Sequence, residues 1–182
     1  VLACAVSVIG TPPWLAAGLL RHGEILAMET FYVRHGNHAL NQNIGLLDVA
    51  CIVGSPAWQS LAAARLAALV AESIDAEGVT NEQSVGYQLY NYANYQRAQR
   101  HLVNCGLPVP SAFSRIDLMP QFLAYATNPD GYYEQLGDTD LRQAQKVLGT
   151  EAEYAATSGL SGPRPGSSIK RFAAGYLFAR SG

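Results

Sequence analysis

Charged residues are scarce in this sequence. Lys, Arg, Asp and Glu make up 14 % of its 182 residues, against about 25 % in a typical soluble domain. Because little polar surface is available to face water, we expect much of the chain to pack against protein. The net charge of -2 and the pI of about 6.1 provide none of the basic surface that nucleic-acid binding needs. The composition therefore excludes nucleic acid as a partner.

Cysteine is also scarce. The three cysteines, Cys4, Cys51 and Cys105, are odd in number and widely spaced. This arrangement fits neither a zinc-binding pattern nor a disulfide framework. We therefore expect buried thiols at these positions, since free cysteine behaves as a small apolar residue.

An uninterrupted apolar run long enough for a membrane span is missing as well. Residues 1–20 carry no charge, and their length alone would permit a span. However, Thr11, Pro12 and Pro13 divide the run, and no basic segment precedes it. We expect no membrane association. The absence of an initiating Met further indicates a fragment that begins in mid-helix, from which any signal peptide has been lost.

Helical spacing of apolar residues dominates up to about residue 127 and predicts antiparallel helices in short succession. Thr80 and Gln83 have the form of a capping box for the fifth helix, and Pro120 disturbs the sixth. Gly54, Ser55 and Pro56 end the third helix and begin the fourth. The six predicted helices cover residues 1–9, 13–31, 37–53, 57–76, 83–104 and 112–127.

The sequence changes character after the helices. "NPDGYYEQLGDTD" is a turn-rich loop, "SGLSGPRPGSS" is a flexible connection, and "KRFAAGYLFARSG" alternates as strands do. Because a single hairpin is marginal alone, these strands should belong to a larger sheet domain that the sequence cuts. The predicted division is a helical domain at 1–158, a linker at 159–169 and the first strands of a second domain at 170–182.

The third predicted helix carries one polar stripe on an otherwise apolar surface. Its only charged residue is Asp48. A helix that is apolar on nearly all sides is buried, so the stripe must face a cleft or a buried polar network. The alternative is that Asn37 caps the helix and that His38 is a hydrogen-bonded core residue. The stripe consists of Asn37, His38, Asn41, Gln42 and Gly45.

The fifth predicted helix carries tyrosines and amides. Tyr92 and Tyr95 lie on a second face of it. Tyrosine rings can stack on sugar rings and amides can bond hydroxyl groups, so the first face suits a carbohydrate. The alternative is an amphipathic helix whose tyrosines are half-buried packing residues. The residues of the first face are Tyr87, Tyr90, Asn91 and Asn94.

Four segments, in order, resemble the heparinase II/III-like polysaccharide lyases: "GNHALNQNIGLLDVACIVG", "NEQSVGYQLYNYANYQRA", "NPDGYYEQLGDTD" and "RFAAGYLFARSG". The resemblance runs from about Trp14 to the end of the chain. It implies an incomplete (α/α) toroid of antiparallel helix hairpins, with its later part at 1–127, followed by the beginning of a β-sandwich domain at 170–182. It also implies a bacterial-type lyase in the periplasm or outside the cell.

The resemblance implies three catalytic residues, Asn37, His38 and Tyr87. Glu82 and Ser84 match the start of the family's Glu-x-Ser-x-x-Tyr segment. Such lyases use a further histidine or tyrosine from the sandwich domain, which this sequence does not contain. They need no cofactor, and a structural divalent cation in the sandwich domain stays open. The expected substrate-binding residues are Asn41, Gln42, Glu82, Tyr90, Asn91 and Asn94.

The chemistry explains these residue types. A uronic-acid polymer can be cleaved by removal of the C5 proton and expulsion of the oxygen at C4. An Asn amide and a His imidazole can hydrogen-bond the uronate carboxylate and stabilise the charge that develops on it. A tyrosine can act as the base and as the acid for the leaving oxygen. A cation beside it would favour its ionised form, and Arg34 and Arg97 are the candidates.

Two other functions stay open at this point. A glycoside hydrolase on an (α/α) toroid would need two carboxylates, for which Glu82 with Asp138 or Asp140 could serve. A helical domain that binds glycans without cleaving them is the other. Each carboxylate also has a second interpretation. Glu82 lies in the first turn of the predicted fifth helix, where a negative charge interacts favourably with the helix dipole. Asp138 and Asp140 shape a cleft, bind a cation or form a capped turn.

The remaining histidines and the substrate are less defined. His22, His35 and His101 have no partner that the sequence identifies, so we expect solvated or core positions for them. Heparan-type glycans, alginate and other uronans are all candidate substrates. The lack of clustered Lys and Arg favours a uronan with little sulfate. The oligomeric state is open.

Overall fold

The structure is a computed structural model that describes residues 2–179, with side chains from residue 6 onward. It is mainly helical and ends in a two-stranded sheet, as predicted. The last residues of the predicted strand segment, 180–182, lie outside the described part. The elements are α1 (Leu2–Ile9), α2 (Pro13–Ala27), α3 (Gly36–Val53), α4 (Pro56–Ser73), α5 (Val85–Asn104), a 3-10 helix (Ser111–Leu118), α6 (Met119–Tyr125), α7 (Glu151–Ala156), β1 (Ile169–Arg171) and β2 (Leu177–Ala179).

The chain folds as two compact units. The first comprises Val1–Val70 and Asn94–Ala112, and the second comprises Ala71–Ala93 and Phe113–Gly182. Helix α5 contributes its beginning to the second unit and its end to the first. Each unit consists of segments that pack mainly among themselves, and the domain boundaries predicted near residues 158 and 170 stay predictions.

In the first unit, α2 packs against α3. Leu15 and Leu19 of α2 and Val49 of α3 are buried together. Helix α3 ends where predicted, because Gly54 adopts the left-handed conformation (φ 68°) that stops a helix. Eight of the 18 residues of α3 are buried and only His38 is exposed, in keeping with its apolar composition. The ring of Trp58 packs directly against the backbone of Gly23. A Cβ at this position would overlap the ring, so glycine is required here.

A disulfide joins Cys51 of α3 to Cys105, the residue after α5. The prediction of buried thiols is therefore wrong for these two residues, both of which are half-buried; the side chain of Cys4 lies outside the described part. The pairing escapes the sequence because the cysteines are 54 positions apart. Only the packing of two non-consecutive helices brings their Cα atoms to 5.8 Å, a normal disulfide spacing.

In the second unit, the C-terminal hairpin packs on a helical core. β1 and β2 pair antiparallel with Lys170 opposite Phe178, and among residues 2–179 they join no larger sheet. Phe172, in the connection between the strands, is fully buried, and its ring meets that of Phe122 edge to face at 5.2 Å. The carboxylate of Glu77 accepts hydrogen bonds from Lys170 Nζ at 3.0 Å and from the backbone N–H of Ala173.

The predicted start of the fifth helix is wrong. Helix α5 begins at Val85, and the Oγ of Ser84 accepts from the N–H of Tyr87 at 3.4 Å, as an N-cap side chain does. Thr80 and Gln83 form no capping box, since Gln83 has a positive φ of 51° and the N–H of Thr80 donates to Gln88 Oε1. Glu82 therefore precedes the helix and does not lie in its first turn.

The sixth predicted helix is two elements. Ser111–Leu118 form a 3-10 helix, and α6 starts at Met119. Pro120 lies at the start of α6 and does not interrupt it, because a proline in the first turn loses no hydrogen bond. Within residues 2–179, no helix has the length and apolar character needed to cross a membrane.

Candidate active site

The adjacent residues Asn37 and His38 lie in the first turn of α3. Asn37 is half-buried and His38 is exposed. The residue that caps this helix is His35, and its side chain makes no capping hydrogen bond. The alternative in which Asn37 caps the helix and His38 occupies the core is therefore wrong. The imidazole of His38 is accessible from solvent at the end of an otherwise buried helix.

Asn41 and Gln42, further along the stripe, are engaged within the first unit. Asn41 donates from Nδ2 to the backbone oxygen of Asn37 at 2.9 Å and accepts at Oδ1 from Arg97 Nη2 at 2.7 Å. Gln42 donates to the backbone oxygen of Phe31 and accepts from the N–H of Val33. Both amide groups thus position neighbouring residues, and their predicted contact with substrate stays a prediction.

The cations proposed for Tyr87 have other partners. Arg34 forms an ion pair with Glu29, and Arg97 is bound to Asn41. The His101 imidazole contacts the carboxylate of Asp48, a partner that the sequence did not identify. Asp48 lies on α3 and His101 on α5, and no local pattern in the sequence connects them.

A cleft of about 220 Å³ surrounds Tyr87 in the second unit. Tyr87 is half-buried, and Tyr90, one turn later on α5, is 46 % exposed. The opposite wall comes from the loop after α6, so the structure brings together two predicted residues of the tyrosine face and both predicted aspartates. The lining residues are Gly86, Tyr87, Tyr90, Asp138, Asp140 and Arg142.

A single buried threonine fixes this loop to the start of α5. Thr139 Oγ1 lies 3.0 Å from Ser84 Oγ and accepts from the N–H of Gly86 at 3.1 Å. Thr139 is 5 % exposed, whereas its neighbours Asp138 and Asp140 are exposed. The loop is therefore held by Thr139, and neither aspartate forms the capped turn that was one of their predicted interpretations.

Arg142 is a further residue of the cleft, which the sequence did not indicate. Its Nη2 approaches the backbone oxygen of Gly86 at 3.3 Å, and a Cβ at Gly86 would lie 3.2 Å from that nitrogen. The guanidinium also lies over the ring of Tyr133 at 5.8 Å. Burial raises the pKa of Tyr133, although the N–H of Gln145 and the charge of Arg142 oppose this. The available signal was the position of Arg142, close after the "GDTD" loop.

Glu82 and two amides of α5 do not line this cleft. Asn91 donates from Nδ2 to Glu82 Oε1 at 3.0 Å and is 2 % exposed, and its Oδ1 is buried without a partner among the described residues. Asn94 is 8 % exposed. Glu82 does not line the cleft that contains the two aspartates. Among residues 2–179, no cluster of three or more His, Cys, Asp or Glu side chains could hold a metal ion.

Asn37 and His38 belong to the first unit and Tyr87 to the second. Their convergence on one sugar, which the resemblance implies, stays a prediction. What the second unit provides by itself is a small cleft with two tyrosines, two carboxylates and one guanidinium.

The fold is similar to that of a solved structure described as heparinase III with methylated lysines. The two chains align with a TM-score of 0.67 over 92 % of this chain and 29 % of the other, at 19 % sequence identity. The fold is heparinase-like. The predicted architecture, an incomplete toroid of helices followed by a strand segment, is thereby confirmed. This chain aligns with less than a third of the length of that structure. No protein-family model and no curated protein sequence matches it.

Proposed function

We propose that this chain is the catalytic helical part of a polysaccharide lyase that cleaves a uronate-containing glycan by β-elimination. The observation that carries the proposal is a half-buried tyrosine beside a guanidinium in a small cleft, within a heparinase-like fold. A cleft of about 220 Å³ is below the usual range for sites that enclose drug-sized ligands, about 300–1,000 Å³. It suits one sugar ring of a chain that continues into solvent.

In the proposed reaction, the hydroxyl of Tyr87, in its ionised form, removes the proton from C5 of the uronate. The electrons of the C5–H bond form the C4–C5 double bond, and the bond from C4 to the glycosidic oxygen breaks. Tyr87 then returns the proton to that oxygen, so one residue serves as base and acid. Asn37 and His38 donate hydrogen bonds to the uronate carboxylate and stabilise the charge that develops there.

We assign the cation of the site to Arg142 and not to Arg34 or Arg97. The other two arginines are bound to Glu29 and Asn41, whereas Arg142 lines the Tyr87 cleft. A guanidinium suits carboxylates because its paired N–H groups match the two oxygens. The proposed role of Arg142 is to bind an anionic group of the substrate beside Tyr87.

The charge of the cleft supports a substrate with little sulfate. Asp138 and Asp140 contribute two negative charges against one positive charge from Arg142. A polyanion carrying sulfates would be repelled by this balance, whereas a uronan with one carboxylate per ring can pair it with Arg142. The proposed partner is therefore an acidic but sparsely sulfated polysaccharide.

The carboxylate pair predicted for a hydrolase does not lie in one cleft. The predicted carboxylate pair needed Glu82, but Glu82 is bonded to Asn91 and lies outside the cleft. The disulfide between Cys51 and Cys105 supports the proposed location in the periplasm or outside the cell, since disulfides persist in oxidising compartments.

Product analysis tests the proposal. The full-length protein that contains this chain is incubated with an unsulfated glucuronan, alginate and a heparan-type glycan, and ultraviolet absorbance and new reducing ends are followed together. A lyase generates an unsaturated, absorbing uronate with each new reducing end. New reducing ends without absorbance would establish a hydrolase and overturn the proposal.

Arg142→Gln should raise KM more than it lowers kcat, because it removes a binding group.

A further inference from the structure

A second, larger cavity lies in the same unit and shares no lining residue with the Tyr87 cleft. Its volume is about 590 Å³, within the usual range for small-molecule sites, about 300–1,000 Å³. One wall comes from α7 and the turn after it, the other from the segment that leads into β1, and the residues after α6 close one side. Neither the resemblance nor the proposed lyase chemistry assigns it a role.

The walls of this cavity are held by specific contacts. Tyr125 Oη donates to the backbone oxygen of Ser167 at 2.9 Å, which fixes the segment before β1. Thr157 Oγ1 bonds both the N–H and the oxygen of Ser161, which closes the turn after α7. Gly162 permits the close approach of this turn, since a Cβ there would lie 2.8 Å from the backbone N of Tyr154. The cavity is therefore a fixed feature of the fold.

Several of the side chains that line it can donate hydrogen bonds to a ligand. Arg164 makes no ion pair and no hydrogen bond with any residue that the structure describes. The Oδ1 of Asn128 accepts from the N–H of Tyr132 at 3.0 Å, so its Nδ2 donors remain for a ligand. Tyr154 and Ser158 add a ring and hydroxyl groups. No aspartate or glutamate lines the cavity.

The backbone conformation of Ser158 also indicates that this cavity binds a ligand. It has a positive φ of 51°, which is uncommon for a residue other than glycine, asparagine or aspartate. Such backbone strain concentrates at ligand-binding sites. Here it places a serine on the wall of the cavity next to Gly159, which itself has a φ of 88° and lies against the ring of Tyr154.

We infer that this cavity binds a carboxylated sugar unit at a second site. An arginine can bind the carboxylate in a bidentate manner, and an amide, hydroxyl groups and an aromatic ring suit a sugar. The charge contrasts with that of the Tyr87 cleft, because one positive and no negative side chain lines this cavity. The inference concerns binding alone and does not depend on lyase activity.

Glycine amides allow the two sites to be observed separately. Gly159 and Gly166 line this cavity, whereas Gly86 lines the Tyr87 cleft. We propose to titrate the isotope-labelled protein with sodium glucuronate, glucose and inorganic phosphate and to follow these amide resonances. Glucuronate should shift Gly159 and Gly166 in a saturable manner, and glucose and phosphate should shift them only at much higher concentration.

Variants assign the effect to Arg164. Arg164→Gln should weaken glucuronate binding at Gly159 and Gly166 by about tenfold or more, because hydrogen bonds to charged groups are the stronger class. Arg171→Gln, on β1 and also exposed to solvent, is the matched control and should leave the affinity unchanged, since Arg171 does not line the cavity. Both side chains are exposed, so neither substitution should affect folding.

Three results would overturn the inference. Glucuronate could fail to shift Gly159 and Gly166, phosphate could bind as tightly as glucuronate, or Arg164→Gln could leave the affinity unchanged. A shift of Gly86 without a shift of Gly159 and Gly166 would refute this second site and leave the proposed function intact. Shifts at Gly159 and Gly166 in a protein with no lyase activity would support the site and count against the proposed function.

Discussion

Arg97 donates a hydrogen bond to the amide oxygen of Asn41 at 2.7 Å, and the Nε of the same guanidinium is buried without a partner among the described residues. The positive charge of Arg97 is therefore stabilised by the neutral amide of Asn41, which lies on another helix. We expect Asn41→Leu to lower the free energy of unfolding by about 1.5–3 kcal/mol, the range for hydrogen bonds to charged groups. Urea denaturation measures this loss.

A double-mutant cycle separates this role from the predicted contact of Asn41 with substrate. Arg97→Met removes the charge, so adding Asn41→Leu to it should cost less than Asn41→Leu costs alone. Unchanged stability in Asn41→Leu, together with a large loss of activity in the full-length protein, would identify Asn41 as a substrate-binding residue instead.

The disulfide should contribute substantially to the stability of the first unit. Cys51 and Cys105 close a loop with a separation of 54 residues, for which the chain-entropy relation gives about 4 kcal/mol. The double variant Cys51→Ser, Cys105→Ser should therefore have a lower urea midpoint, and its free energy of unfolding should fall by about 4 kcal/mol. The control is the unmodified protein, measured without a reducing agent. An equal midpoint in the double variant and the control would show that the disulfide does not form in solution.

Tyr87→Phe tests the proposed base. The substitution keeps the ring and its packing but removes the hydroxyl that would carry the proton. General acid–base groups typically contribute about 10²–10⁴-fold, so kcat of the full-length protein should fall by at least that much with KM little changed. Tyr90→Phe, in the same cleft and 46 % exposed, should change kcat only a few-fold. Equal small effects of both variants would leave Tyr87 as a packing residue.

The contact between Glu77 and the hairpin should depend on pH. Hydrogen bonds from the Ala173 N–H and from Lys170 lower the pKa of Glu77 below its usual 4.5. A carboxyl whose pKa is lower in the folded state stabilises above the unfolded value, and this contribution is lost as the pH falls through the lower folded value. Amide exchange of Ala173 should therefore accelerate, relative to its intrinsic rate, as the pH falls below about 4.5.

Glu77→Gln is the matched control for this experiment. The amide cannot titrate, so Ala173 should exchange with a protection factor that does not change in the same pH range. A pH dependence that persists in Glu77→Gln would assign the effect to another group. Because Phe172 is fully buried beside Phe122, we expect the hairpin to stay packed on its unit when this contact is lost.

The sequence predicted those parts of the fold that depend on neighbouring residues. The limits of α3 follow from its apolar composition and from Gly54, whose preference for a left-handed conformation is local. The start of α5 was missed although it is also local, because Thr80 and Gln83 have the spacing of a capping box while Ser84 caps the helix. The spacing of a capping box occurs by chance more easily than a glycine followed closely by proline at the end of a helical pattern.

The parts that the sequence did not predict depend on distant residues. Cys51 with Cys105, Asp48 with His101, and Asn41 with Arg97 each join α3 to the last part of α5. The residue numbers rise together along both helices, so α3 and α5 run parallel with α4 between them in the chain. Arg142 was missed for the same reason, because its proximity to Gly86 spans 56 positions.

Alternate residues in the loop from Asp138 to Arg142 either anchor the loop or line the cleft. Thr139 turns inward to hold the loop on α5, whereas positions 138, 140 and 142 line the cleft. Substitutions at Asp138 and Asp140 can therefore change the charge of the cleft without breaking the hydrogen bonds of Thr139. The charge of the cleft can thus change through a few codon changes in one pentapeptide, with the helical scaffold unaltered.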